Sequence, residues 1–138
     1  MNKSVLNWFE IPVRDIARAQ RFYETLLACD LRREDMGGNA LAVFPYADGG
    51  TGGALVQGPA IPAPTNDGVV LYLHAGPSLD VVLARAWELG ARVLMPKTEL
   101  PGDIGAIAQI VDCEGNRVGL HQPGVPASST TTAATATA

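Results

Sequence analysis

The sequence predicts an α+β fold in which one unit is used twice, each copy being a strand, a helix and three further strands. Three observations predict it. An apolar stretch closed by a helix-capping residue and followed by a one-faced helix occurs near the start, where VLNWFEIPVRD runs into IARAQRFYETLL. It recurs in mid-chain, where GVVLYLHAGPS runs into LDVVLARAWELG. Each helix is then followed by short strand-like pieces joined by turn-forming residues, and duplication of this kind decides architecture ahead of any single motif.

The first copy covers 4–57, with a strand through Trp8 to Val13 at its front. Side chains alternate faces along a strand, so Trp8, Glu10 and Pro12 share one face while Phe9, Ile11 and Val13 share the other, which suits packing under a helix. Asp15 then caps a helix in which Ile16, Ala19, Phe22, Tyr23 and Leu26 recur at three- and four-residue intervals, with Arg18, Arg21 and Glu24 on the opposite side. Strands are expected over 30–33, 40–45 and 52–57, the last two joined through Asp48, Gly49 and Gly50, which tolerate positive φ. A linker over 58–67, GPAIPAPTND, is rich in proline and breaks the pattern.

The second copy covers 68–122. Its opening strand gives His74 the parity of Val70 and Tyr72, which places those residues on the helix-facing side. Ser78 caps a helix with Leu79, Val82, Leu83 and Ala86 on one stripe, and Gly90 suits its left-handed exit. Strands follow over 92–95, 106–111 and 117–121, the last two joined through Glu114, Gly115 and Asn116. Alternation sets Arg117, Gly119 and His121 against Val118 and Leu120. The two copies are expected to build one sheet between them.

Composition agrees with a single domain over 1–126. The chain has 138 residues, 47% of them hydrophobic and 17% charged, enough apolar material for a core without disulfide staples. Fourteen acidic and ten basic residues give a net charge of −4 with no basic run, which argues against nucleic acid or an anionic membrane as partner. No apolar run has the length of a membrane helix, the N-terminus lacks a signal-peptide core, and Cys29 and Cys113 read as reduced thiols, so a cytoplasmic setting is expected. From Ala127 to Ala138 only Ala, Ser and Thr occur, a composition expected of a flexible tail.

Val13, Asp15, Phe22 and Tyr23 in the strand-to-helix run, with Asp112, Gly115 and Asn116 in the turn before the last strand, carry a family resemblance. Over residues 4–123 the chain resembles the vicinal oxygen chelate superfamily, which includes glyoxalase I, bleomycin-resistance proteins and extradiol dioxygenases. Within it the chain is most similar to the small bacterial proteins related to lactoylglutathione lyase. The resemblance implies paired βαβββ modules curled around a cavity, commonly in a homodimer. It also implies a divalent metal held by imidazole and carboxylate ligands on four strands, with open positions for substrate oxygens.

Carried over one at a time, those ligand positions fall on Trp8, within Ala54 to Val56, on Val69 and on Gly119. None offers a side-chain donor to a metal. Glu10 and His121 each lie two residues from such a position, and as catalytic candidates they form an acid/base pair or a relocated metal site. No phosphate loop, CxxC, HExxH or GxSxG motif occurs, and Cys113 beside Asp112 and Glu114 is a poor nucleophile.

The sequence therefore points to a protein that binds a small organic molecule in the cavity without the family metal. Trp8, Leu71, Leu73 and the stretch Ala54 to Val56 are expected to form apolar walls, and Glu10, Gln57, Arg117 and His121 the polar anchors. No cofactor is expected, a divalent metal being the alternative. That alternative is a lyase, isomerase or dioxygenase working around Glu10 and His121.

Overall fold

The computed structural model describes residues 5–124, so the tail over 127–138 lies outside the described residues. In chain order the elements are β1 (Trp8–Pro12), α1 (Ile16–Leu27), β2 (Arg32–Met36), β3 (Asn39–Val43), β4 (Gly52–Gln57), β5 (Tyr72–His74), α2 (Leu79–Glu88), β6 (Arg92–Glu99), β7 (Gly105–Val111) and β8 (Arg117–Pro123). The βαβββ order occurs twice. Each copy makes its own four-stranded mixed sheet, β1-β4-β3-β2 in the first and β5-β8-β7-β6 in the second, rather than one sheet drawn from both. The described chain divides into two compact units, one reaching to Gly68 and including Asp112–Asn116, the other holding Val69–Val111 and 117–124.

In the first unit α1 buries the stripe read from its spacing, Ile16, Ala19, Phe22, Tyr23 and Leu26. The Asp15 carboxylate accepts from the Arg18 N–H, a cap that contributes about 1 kcal/mol. Beneath the helix lie Ile11, Val13, Leu55 and an aromatic group in which the Tyr23 ring meets Phe22 and Phe44 edge-on, centroids 5.1 and 5.6 Å away. Strand β2 runs further than its composition suggests, to Met36. Gly37 and Gly38, both at positive φ, form the two-residue turn that pairs Met36 with Asn39 and carries β2 along β3.

The segment Asp112–Asn116 anchors this unit through buried polar groups. The fully buried Tyr23 hydroxyl donates to Asp112 Oδ2 at 2.5 Å, while Asp112 Oδ1 accepts the N–H groups of Glu114 and Asn116 at 2.8 and 2.9 Å. Glu114 accepts from the Arg14 and Asp15 N–H groups at 2.7 and 3.0 Å and from Arg18 Nη2 at 2.8 Å, so its carboxylate sits at the start of α1. That end of a helix carries partial positive charge. Asn116 Nδ2 donates to the Pro12 carbonyl at 2.8 Å, and its Oδ1 accepts from the Thr65 N–H. Burial pushes the Glu114 carboxyl up, but the Arg14 N–H, Arg18 and the Asp15 N–H outweigh it and hold the group below the usual carboxylate range.

In the second unit Ser78 caps α2 by accepting from the Val81 N–H, and Leu79, Val82 and Ala86 are buried against the sheet. Opposite them stand Leu73, Ala106, Ala108, Ile110, Val118 and Leu120, all buried. Gly90, at φ +79°, follows the helix in the left-handed conformation expected of it. Strand β6 extends through Pro96 to Glu99, its register against β7 shifting twice on the way.

The left-handed residue closing α1 is Ala28, at φ 53° and ψ 52°, where a Cβ is strained. Ala28→Gly is therefore expected to raise stability by roughly 0.5–1 kcal/mol in chemical denaturation. Tyr23→Phe leaves the Asp112 oxygen short of a donor and is expected to cost about 1–3 kcal/mol in the same assay. Because Glu114 titrates lower folded than unfolded, its contribution is full above the ordinary value of 4.5 and is lost as pH falls through the folded value. Unfolding free energy measured from pH 7 to pH 3 is expected to fall more steeply in the native chain than in Glu114→Gln.

Candidate functional site

Each sheet turns one face to its helix and leaves the other free of one. In the first unit the helix-free face carries Trp8 and Glu10 from β1, Ala54 and Val56 from β4, and Leu41 and Val43 from β3, as the strand registers dictate. Leu41, Val43, Ala54 and Val56 form a buried apolar cluster against which Ile61 of the linker packs. At the edge of this face Trp8, 40% exposed, donates its indole N–H to Glu10 Oε2 at 3.2 Å, so the candidate carboxylate has a partner on its own strand. The Trp8 ring and Tyr46 lie over Gly52, where a Cβ has no room.

Gln57 has the opposite parity. Its Oε1 accepts from the Ile16 N–H at 2.7 Å, and Gln122 does the same for the Leu79 N–H at 2.7 Å in the second unit. The duplicated glutamines satisfy the first free N–H of each helix, a structural duty that the anchoring role assigned to Gln57 did not include. Gln57 also borders a groove of about 510 Å3 shared with Arg14, Asp35, Pro59, Ile61 and Pro64.

In the second unit β5 pairs with β8 in parallel, Tyr72 beside Gly119, Leu73 beside Leu120 and His74 beside His121. Leu73 is buried on the helix side with Leu120. This corrects the reading of His74 and Tyr72 as helix-facing, and it places Leu73 in the core instead of in a ligand-lining wall. With Leu71, Tyr72 and Leu73 all apolar or aromatic, composition alone did not separate the two faces of so short a strand. Leu71 precedes the strand and is half-buried, its carbonyl accepting from the Gly119 N–H.

The helix-free face of this sheet therefore carries Tyr72, His74, Gln109, Arg117, Gly119 and His121. Tyr72 lies across Gly119, where an added Cβ would collide with Cγ, Cδ1 and Cε1 of its ring. Beyond the glycine Gln109 Nε2 meets the Tyr72 hydroxyl at 2.6 Å, and Arg117 Nη1 donates to Gln109 Oε1 at 3.0 Å. The imidazole of His121 reaches the Ile104 carbonyl at 2.6 Å through Nε2, which as the partner of a carbonyl must carry the proton. His74 Nδ1 accepts from the Gly76 N–H at 2.9 Å. The sequence reading missed Tyr72 and Gln109. A glycine in the middle of a last strand, facing an aromatic residue on the first, was the signal available for them.

Glu10 belongs to the first unit and His121 to the second. The four positions aligned with the family ligands present no donor set for a divalent ion. Trp8 offers an indole N–H, Ala54 and Val56 lie in the apolar cluster, Val69 is 91% exposed ahead of β5, and Gly119 sits under a ring. Among the described residues no group of three or more His, Cys, Asp or Glu side chains is arranged to hold a metal. Burial, with Asp112 next to it, pushes the Cys113 thiol up to about 11, far from a reactive thiolate. No helix among the described residues is long and apolar enough to cross a membrane.

No protein-family model and no curated protein matches the sequence. Solved structures do match. A glyoxylase/bleomycin resistance protein/dioxygenase domain from Frankia sp. EAN1pec superposes with a TM-score of 0.66 at 23% identity, over 86% of this chain and 90% of that one. TnmS3, an antibiotic binding protein from Streptomyces sp. CB03234, gives 0.64 at 26% identity over 90% and 99%. Glyoxalase I from Zea mays gives 0.58 at 24% identity over 83% of this chain, which spans less than half of it, 44%. The duplicated βαβββ order and these structural matches together show that the chain has the glyoxalase/bleomycin resistance/dioxygenase fold, the fold of the vicinal oxygen chelate proteins it resembles.

Proposed function

We propose that this protein binds a small organic molecule against the helix-free face of its second sheet and does so without the superfamily's divalent metal. The observation that carries the reading is Gly119. The position aligned with a family carboxylate is a glycine on which Tyr72 lies, so the place of a ligand to metal is taken by an aromatic surface with polar groups around it. Aromatic faces and a few placed polar atoms are what sites for small organic molecules are made of. The Tyr72 hydroxyl, backed by Gln109 and Arg117, gives this surface its polar edge, and Trp8 gives the first unit an exposed aromatic surface of its own. The similarity to TnmS3, which is described as antibiotic binding, supports binding in place of turnover.

Metal analysis of protein purified without chelator, followed by titration with zinc, nickel, manganese and iron, is expected to find no stoichiometric ion and no shift in the thermal midpoint. One tightly held ion per chain contradicts the reading. A thermal-shift screen of small aromatic compounds is expected to yield ligands that raise the midpoint in proportion to the logarithm of their concentration above Kd. A screen in which only metals move the midpoint speaks for a metalloenzyme instead.

A further inference from the structure

The directions of the hydrogen bonds joining Arg117, Gln109 and Tyr72 are set by chemistry. A guanidinium has donors only, so the Gln109 atom facing Arg117 at 3.0 Å is the carbonyl oxygen. That turns the carboxamide nitrogen toward Tyr72, 2.6 Å from the hydroxyl. The Tyr72 oxygen thus accepts, and its own proton is aimed elsewhere. Among the described residues no acceptor is hydrogen-bonded to that proton. Tyr72 is 41% exposed, and with one ring face on Gly119 the other is turned outward.

We propose that Tyr72 is a directed hydrogen-bond donor to a carbonyl oxygen on the ligand, and that the ligand is a small planar molecule stacked on the outer face of the tyrosine ring. This rests on the small-molecule reading above and names the chemistry that the face selects. Gln109 and Arg117 are positioning residues. The arginine's charge polarises the carboxamide, the carboxamide polarises the hydroxyl, and chains of this kind strengthen their terminal donor. Gly119 is required because only a residue without a side chain lets the ring cross to Gln109. The hydroxyl then meets a carbonyl oxygen of the ligand as a strengthened hydrogen-bond donor.

The test compares two probes of nearly identical shape, acetophenone and α-methylstyrene, which carries a CH2 group where acetophenone carries its oxygen. Binding is measured by ligand-observed NMR titration at pH 8. The native chain is expected to bind acetophenone about tenfold more tightly, the value of one well-placed hydrogen bond. Tyr72→Phe keeps the ring over Gly119 and is expected to bind both probes equally. Gln109→Glu is nearly isosteric, yet its carboxylate accepts from Arg117 and from Tyr72 alike, which turns the hydroxyl proton inward. It too is expected to lose the preference, an effect that a purely structural role for Gln109 does not produce.

Equal binding of the two probes by the native chain, which needs no variant to fold, overturns the donor assignment and leaves the small-molecule reading standing. A preference kept in either variant also overturns it. Failure of the native chain to bind either probe overturns both.

Discussion

The first unit depends on burying two carboxylates without leaving either short of a partner. Asp112 and Glu114 come from a turn about 100 residues away in sequence from the helix they serve, and between them they take up a tyrosine hydroxyl, four backbone N–H groups and a guanidinium. An unpaired ion in that position would cost several kcal/mol. Every buried side-chain nitrogen and oxygen among the described residues has a hydrogen-bond partner. The turn therefore specifies the position of α1 as much as it stabilises it, and through α1 the sheet that carries Trp8 and Glu10.

Against that background of satisfied groups, the helix-free face of the second sheet differs. Its polar atoms are joined to one another in sequence, Arg117 to Gln109 to Tyr72, and the series ends on a hydroxyl whose proton has no hydrogen-bonded acceptor among the described residues. Core polar groups close their networks, whereas this one ends at the surface. Gly119, the position to which the family resemblance assigns a carboxylate ligand, is the glycine that makes the arrangement possible. On the proposed reading, the fold is kept while an oxygen of the ligand is met by a hydrogen bond in place of an ion.

The local signals in the sequence were legible because they act over one helical turn or one strand. Asp15 and Ser78 cap where their side chains suggested, α1 buries the whole stripe that its spacing set out and α2 buries Leu79, Val82 and Ala86 of its own with Leu83 half-buried, and the glycine turns before β4 and β8 join antiparallel strands. Where local cues conflicted, the reading failed. Apolar residues at successive positions give β5 no clear alternation, so the sequence alone does not separate the buried Leu73 from the exposed His74. The Gly37-Gly38 turn moved β2 along the chain. Contacts such as Glu114 with the start of α1, or Gln57 and Gln122 with the first turns of the helices, join residues more than 40 positions apart and leave no periodic trace.

The most direct test of the account is anomalous diffraction at the zinc edge from crystals soaked in zinc. The account predicts the Tyr72 ring seated on Gly119, its hydroxyl beside Gln109, and no ordered ion near that face. An anomalous peak coordinated by His121 or Glu10, with the ring displaced from the glycine, would contradict it.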